Sequence, residues 1–128
     1  MILPFLTIAL SNNKGRGVFT TEPILANTTI EIAPVIVLDA QGREKLEQTL
    51  LYDYIFEWGE NSEMAAVALG YISIYNHSNQ PNCAYDMDFE NQTISITTLI
   101  DIEVGAELFI NYMCPEGPSD DAVWFEQH

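Results

Sequence analysis

The chain has 128 residues, of which 48% are apolar and 11% aromatic, enough for one domain with a hydrophobic core and too many for a disordered chain. Four basic and nineteen acidic residues give a net charge of −15, which argues against direct nucleic-acid binding and predicts attraction of cationic partners. An acidic surface that serves only solubility or salt adaptation is equally compatible with this charge, because net charge governs association rather than fold.

The two cysteines, Cys83 and Cys114, are too few for a disulfide framework and favour a reducing compartment. The apolar start, MILPFLTIAL, lacks the basic residues and cleavage site of a signal peptide and is too short to span a bilayer. We interpret it as a core strand and expect neither secretion nor a membrane anchor. The N-x-S/T patterns at Asn27, Asn76 and Asn91 are then coincidental.

In chain order, the hydrophobic pattern predicts mostly β-structure with one helix. Strands are predicted at residues 5–10, 18–20, 28–38, 93–102 and 107–112. The glycines of residues 11–17 indicate a loop, and Pro34 indicates an edge strand or a bulge. Asp39 is a candidate cap for a helix over residues 41–51. Residues 64–75 are apolar throughout, and their pattern does not distinguish helix from strand.

Three stretches stand out: NKGRGVFT at 13–20, YNHSNQPNC at 75–83 and ELFINY at 107–112. Each is weak evidence by itself. The G-x-G is followed by no helix and no suitably spaced acidic residue, which argues against a dinucleotide fingerprint. A lone His77 is typically structural, and Tyr112 alone would be a core aromatic with its hydroxyl at the surface.

Taken together and in order, these stretches resemble the SET domain of protein lysine methyltransferases over nearly the whole chain. NHSNQPN resembles the family signature, and GAELFINY resembles its glutamate-leucine-x-x-x-tyrosine strand. LGYISIYNHS is similar to the minimal SET proteins of bacteria and large DNA viruses. The resemblance implies a SET domain over residues 1–112 and a post-SET-like tail over 113–128. It also implies a mostly β fold of small sheets around a pseudoknot, with one short helix.

The resemblance further implies methyl transfer from S-adenosylmethionine to the ε-amine of a lysine in a basic protein. Tyr112 would be the catalytic tyrosine, and Tyr54 and Tyr85 would be channel walls, with Tyr85 suggesting mono- or dimethylation. Residues 13–17 would approach the cofactor. The implied cofactor-binding residues are Lys14, Gly15, Arg16, Gly17, Asn76, His77 and Trp124.

Substrates of histone, histone-like or ribosomal type fit the acidic charge, and short relatives include homodimers. The expected compartment is the cytoplasm, or the nucleus in a eukaryotic host. Cys83 matches the first zinc-binding cysteine of many relatives, but the tail offers only Cys114, so no metal is expected. The sequence departs from the family after Tyr112, where methionine replaces glycine, and at residues 33–37, where aliphatic side chains replace an aromatic one.

Two other classes stay open on the sequence. One is an acidic SET-like module that binds basic proteins, or mimics nucleic acid, without transferring a methyl group. The other is methylation of a non-protein amine or of a plastid-enzyme-like substrate, which the lack of a large additional substrate domain disfavours. Binding of S-adenosylmethionine would distinguish the binding module from an enzyme, because a pure binding module does not need this cofactor.

Overall fold

The computed structural model of the chain describes residues 1–12, 14–59 and 61–118. This part contains nine strands, one α-helix and two 3₁₀ turns. The strands are β1 (Leu6–Ser11), β2 (Gly15–Thr20), β3 (Thr29–Leu38), β4 (Phe56–Trp58), β5 (Met64–Ala68), β6 (Asn76–His77), β7 (Cys83–Asp88), β8 (Thr93–Thr98) and β9 (Glu107–Ile110). The helix α1 is Ala40–Leu46, and the 3₁₀ turns are Leu50–Asp53 and Ile72–Ile74.

The strands form two small sheets. The four-stranded sheet has the order β1-β2-β9-β6, and the five-stranded sheet has the order β4-β5-β3-β8-β7. Strands β6 and β9 run parallel, with Asn76 opposite Phe109 and His77 opposite Ile110. Because β2 pairs with the other edge of β9, this sheet brings the three stretches singled out in the sequence together.

The chain after β9 passes the loop that follows β6 and reaches β7. Ser78 N donates to Ile110 O at 3.0 Å, and Tyr85 N donates to Pro115 O at 3.0 Å. The C-terminal strand is therefore threaded beside the signature loop. The mostly β fold expected from the sequence, with one short helix, is confirmed. No helix in the described part of the chain is long and apolar enough to cross a membrane.

Strand β3 is central, so the expectation that Pro34 marks an edge strand or a bulge is wrong. Pro34 is the last residue paired with β8, and Val35 is the first residue paired with β5. The register shift lies earlier, between Thr29 and Glu31. The missing N–H of proline is tolerated because it falls where the strand changes partner, while Pro34 O still accepts from Leu69 N at 3.1 Å.

The helix is shorter than the predicted 41–51. Asp39 caps it as expected, its side chain accepting from Gly42 N at 2.9 Å. The helix buries none of its residues, so packing does not extend it. Thr49 instead caps a separate 3₁₀ turn in which Leu50 is 80% exposed.

Candidate functional site

The three stretches meet at the side chains of Asn76 and Glu107. Ser11 Oγ donates to Glu107 Oε1 at 2.5 Å, and Asn76 Nδ2 donates to Glu107 Oε2 at 2.8 Å. The same Nδ2 donates to Arg16 O at 3.1 Å. Since both hydrogens of this amide nitrogen meet acceptors, the orientation of the Asn76 amide is assigned, and its Oδ1 faces the opposite way.

Gly17 is required by space. A Cβ at this position would overlap Glu107 Oε2 and lie 2.8 Å from Asn76 Nδ2. The sequence predicted a close backbone approach here, and the groups that approach are the chain's own side chains. Gly15 differs, because a Cβ there would meet nothing within 4 Å, and its φ of +73° is what favours glycine.

Lys14 ties the loop before β2 to the signature strand. Its Nζ donates to His77 O at 2.9 Å and lies 5.5 Å from the centroid of the Phe109 ring. The predicted cofactor residues Lys14, Arg16 and Gly17 therefore contact the signature residues Asn76 and His77 or lie directly against them.

The buried His77 imidazole positions the backbone of Tyr112. Its Nδ1 accepts from Tyr112 N at 3.0 Å, and its Nε2 lies 3.0 Å from Asn79 Oδ1. Because Nδ1 accepts, the neutral ring carries its hydrogen on Nε2 and donates it to Asn79. The centroids of the His77 and Tyr112 rings are 5.2 Å apart.

Tyr112 is held through both its side chain and its backbone. Its hydroxyl donates to Tyr75 O, and the Tyr85 hydroxyl donates to Tyr112 O at 3.0 Å. Burial, followed by the neighbouring Tyr54 and Glu107, raises the pKa of Tyr112 to about 12. Tyr112 is therefore a neutral hydroxyl across the physiological range of pH.

A cleft of about 320 Å³ has Arg16 and Tyr54 among its lining residues, whereas Asn76, His77 and Tyr112 are not among them. Its walls are largely apolar, and Arg16, Tyr54 and Ser73 supply polar groups. The lining residues are Arg16, Leu50, Leu51, Tyr54, Ile55, Val67, Ala68, Gly70, Ser73 and Ile74. Such a mainly apolar cleft with a few polar side chains is typical of a small-molecule site.

The SET domain family model matches residues 15–113. The chain belongs to the SET-domain family. It is 39% identical over 122 residues to a histone-lysine N-methyltransferase of Schizosaccharomyces pombe specific for H3 lysine 37. The aligned region covers 94% of this chain and 77% of that protein.

A solved structure agrees with this SET assignment. The crystal structure of a Plasmodium falciparum protein described as a candidate histone methyltransferase matches with a TM-score of 0.68 and 26% sequence identity. The match covers 97% of this chain and 99% of that one. The predicted family and the enzyme class, protein-lysine N-methyltransferase, are confirmed. Kinship with the minimal bacterial and viral members in particular stays a prediction.

Two polar side chains of the SET motifs have structural roles that the sequence did not predict. Glu107 is the junction described above. Asn82 Nδ2 donates to Glu107 O and Asn82 Oδ1 accepts from Phe109 N, both at 2.8 Å, so this side chain bonds to β9 as a neighbouring strand would. In the sequence, Glu107 is only a polar residue before an apolar strand and Asn82 only one amide of a polar loop, so neither pattern identifies a long-range partner.

Asn13 and Trp124 lie outside the described residues, as does most of the tail from residue 113 onward. Among the described residues, no group of three or more His, Cys, Asp or Glu side chains could hold a metal ion. The expectation that the chain binds no metal stays a prediction.

The two thiols should differ in reactivity. Burial raises the pKa of Cys83 to about 12, whereas Cys114 is only partly buried and donates to Glu116 Oε2 at 3.4 Å. Titration of the native protein with a disulfide reagent should modify Cys114 quickly and Cys83 only after denaturation. Fast modification of native Cys83, seen by mass spectrometry, would contradict the described packing.

Proposed function

We propose that this SET-domain protein transfers a methyl group from S-adenosylmethionine to the ε-amine of a lysine in a basic protein. The observation that carries the proposal is the neutral, fixed hydroxyl of Tyr112. Tyr112 lies two residues beyond the last pair of β6 and β9, His77 opposite Ile110, and Tyr54, which lines the cleft, is one of the neighbours that raise its pKa. Membership of the SET family supports the type of reaction, and the position of Tyr112 supports where the reaction would occur.

The chemistry of the cleft fits the proposed cofactor. The amino-acid end of S-adenosylmethionine carries a carboxylate and an ammonium group, which are complementary to the Arg16 guanidinium and to the oriented Asn76 Oδ1. The apolar walls suit the uncharged remainder of the molecule. The proposed cofactor residues are Lys14, Gly15, Arg16, Gly17, Asn76, His77 and, from outside the described part, Trp124.

The reaction needs a neutral amine and an aligned methyl donor. The bound cofactor supplies an electrophilic methyl group carried on a sulfonium. Lysine has an unperturbed pKa of about 10.4, so desolvation among Tyr54, Tyr85 and Tyr112 must favour its neutral form. The Tyr112 hydroxyl, held by Tyr75 O, would orient the amine towards the methyl group, and this alignment contributes much of the rate.

The acidic charge supports a basic protein as substrate. A net charge of −15 attracts a cationic segment to the surface before its lysine enters the channel. The S. pombe relative is named for a lysine of histone H3, so histones are the first substrates to test, followed by histone-like and ribosomal proteins. We propose a nuclear location in a eukaryotic host and a cytoplasmic one in a bacterium, and we keep a homodimer as an option.

We further propose that residues 113–128 act as a tail that follows the SET domain of residues 1–112. Asn111 Nδ2 donates to Gly117 O at 3.1 Å, and Pro115 O accepts from Tyr85 N. The first tail residues are thus folded against the site. A role of Trp124 in covering the adenine would extend this arrangement.

The pH profile tests the neutral tyrosine. Because the pKa of Tyr112 is raised to about 12, its hydroxyl stays protonated while the substrate lysine loses its proton. The rate of a single turnover should therefore rise between about pH 7 and pH 10, without a falling limb. A fall in rate within that range, with the protein still folded by circular dichroism, would contradict the described environment of Tyr112.

The function itself is tested by transfer of a labelled methyl group. The protein is incubated with labelled S-adenosylmethionine and histones, histone-like proteins, ribosomal proteins or an acidic control protein. We expect label on a lysine of a basic protein, located by mass spectrometry, and none on the acidic control. Binding of basic proteins without any transfer would instead favour the acidic binding module.

A further inference from the structure

We propose that Glu31 is a positioning residue for methyl transfer, acting through Tyr75 on the hydroxyl of Tyr112. The inference rests on the proposed function and adds a residue that lies outside all three stretches singled out in the sequence. Glu31 is on β3 of the five-stranded sheet, whereas Asn76 and His77 belong to the four-stranded sheet.

Glu31 is a fully buried carboxylate with two specific partners. Its Oε2 accepts from Tyr71 N at 2.7 Å, and its Oε1 accepts from the hydroxyl of Tyr75, itself fully buried, at 2.8 Å. Burial raises the pKa of Glu31, and these two bonds oppose that effect. A buried acidic group is costly unless it is hydrogen-bonded, so its retention in the core points to a specific role.

The two bonds bracket the turn that leads into the signature. Tyr71 precedes the 3₁₀ turn Ile72–Ile74, and Tyr75 follows it. Gly70 leaves the room that the carboxylate needs, since a Cβ there would overlap Glu31 Oε2 and lie 3.3 Å from Ala33 Cβ. The conformation of this turn is therefore fixed at both ends by one side chain.

Tyr75 connects this bracket to the proposed chemistry. Its side chain is held by Glu31, and its carbonyl oxygen accepts from the Tyr112 hydroxyl. The Asn76 side chain is held separately, by Glu107 and Arg16. Loss of the Glu31–Tyr75 bond should therefore disturb the position of the Tyr112 hydroxyl more than the binding of the cofactor.

The test uses the whole chain with the substrate that the labelling experiment identifies. Tyr75→Phe removes the hydroxyl and keeps the ring, and Glu31→Leu removes both bonds. We expect kcat to fall about tenfold in either variant while KM for S-adenosylmethionine stays within about twofold. Glu31→Gln should recover part of kcat, because its amide can still accept from Tyr71 N and donate to the Tyr75 hydroxyl.

Thr98→Val is the matched control for loss of a buried hydroxyl. Thr98 Oγ1 donates to Leu25 O at 2.8 Å and accepts from Thr28 N at 3.0 Å, so it stabilises a turn outside the site. This variant should lower Tm and leave kcat unchanged. If Glu31→Leu does not fold, Tyr75→Phe decides the matter.

An unchanged kcat in folded Tyr75→Phe would overturn the proposal, as would an equal loss of kcat in Thr98→Val. Both results are separate from a failure of the proposed function, which would appear as no methyl transfer by the wild type.

Discussion

Replacing Tyr112 with phenylalanine is expected to reduce methyl transfer at least about 100-fold while leaving binding of S-adenosylmethionine within about twofold. The substitution removes a single oxygen, which donates to Tyr75 O. The ring would keep its contact with His77, and His77 Nδ1 would still accept from the backbone N–H of residue 112. The proposed cofactor residue Asn76 and its partner Glu107 are untouched.

Tyr52→Phe is the control for this experiment, because Tyr52 lies in the first 3₁₀ turn and is 47% exposed. It should change neither the rate nor the affinity for the cofactor. The comparison is made by single-turnover kinetics and calorimetry on the same preparations. If Tyr112→Phe transfers methyl groups at a rate near that of the wild type, Tyr112 is not the catalytic tyrosine.

The second large effect is expected at Gly17. In Gly17→Ala the new methyl group would overlap Glu107 Oε2, whose end is held by Ser11 and Asn76 and cannot move without breaking those bonds. Overpacking of this kind costs about 1–3 kcal/mol, and because it displaces the partners of Asn76 we expect affinity for S-adenosylmethionine to fall about 5- to 150-fold. Calorimetric titration measures the loss, and thermal unfolding measures the accompanying change in stability.

Gly105→Ala separates the effect of crowding from the effect of losing a glycine. A Cβ on Gly105 would meet nothing within 4 Å, and its φ of +83° means that alanine is strained there by about 1 kcal/mol. This variant should lose stability and keep its affinity for the cofactor. Equal loss of affinity in both variants would show that the contact of Gly17 with the carboxylate is not what matters.

The sequence predicted elements whose pattern is local. The alternation of Ile94 and Ile96 with polar residues indicated β8, and both isoleucines are fully buried. Asp39 indicated the start of the helix. The end of the helix and the place of Pro34 were wrong, because they depend on packing and on a change of strand partner that no local pattern contains.

The site, too, contains residues that the sequence predicted and residues that it did not. Family motifs predicted Gly17, Asn76, His77 and Tyr112, and the structure places these residues in one region. The linking groups were not predictable, because Glu107 reaches Ser11 across 96 positions of the sequence and Glu31 reaches Tyr75 across 44. The first contact follows from the order of strands in the four-stranded sheet, and the second joins β3 of the other sheet to the turn before β6, so neither is visible in a local pattern.

The measurement that tests the account most directly is calorimetric titration of the purified protein with S-adenosylmethionine, repeated with Asn76→Ala. The account predicts saturable binding by the wild type and its loss in the variant, because Asn76 joins the cofactor loop to β9 through Arg16 and Glu107. No binding by a well-folded wild type would contradict the proposed methyl transfer and favour a protein that only binds basic partners.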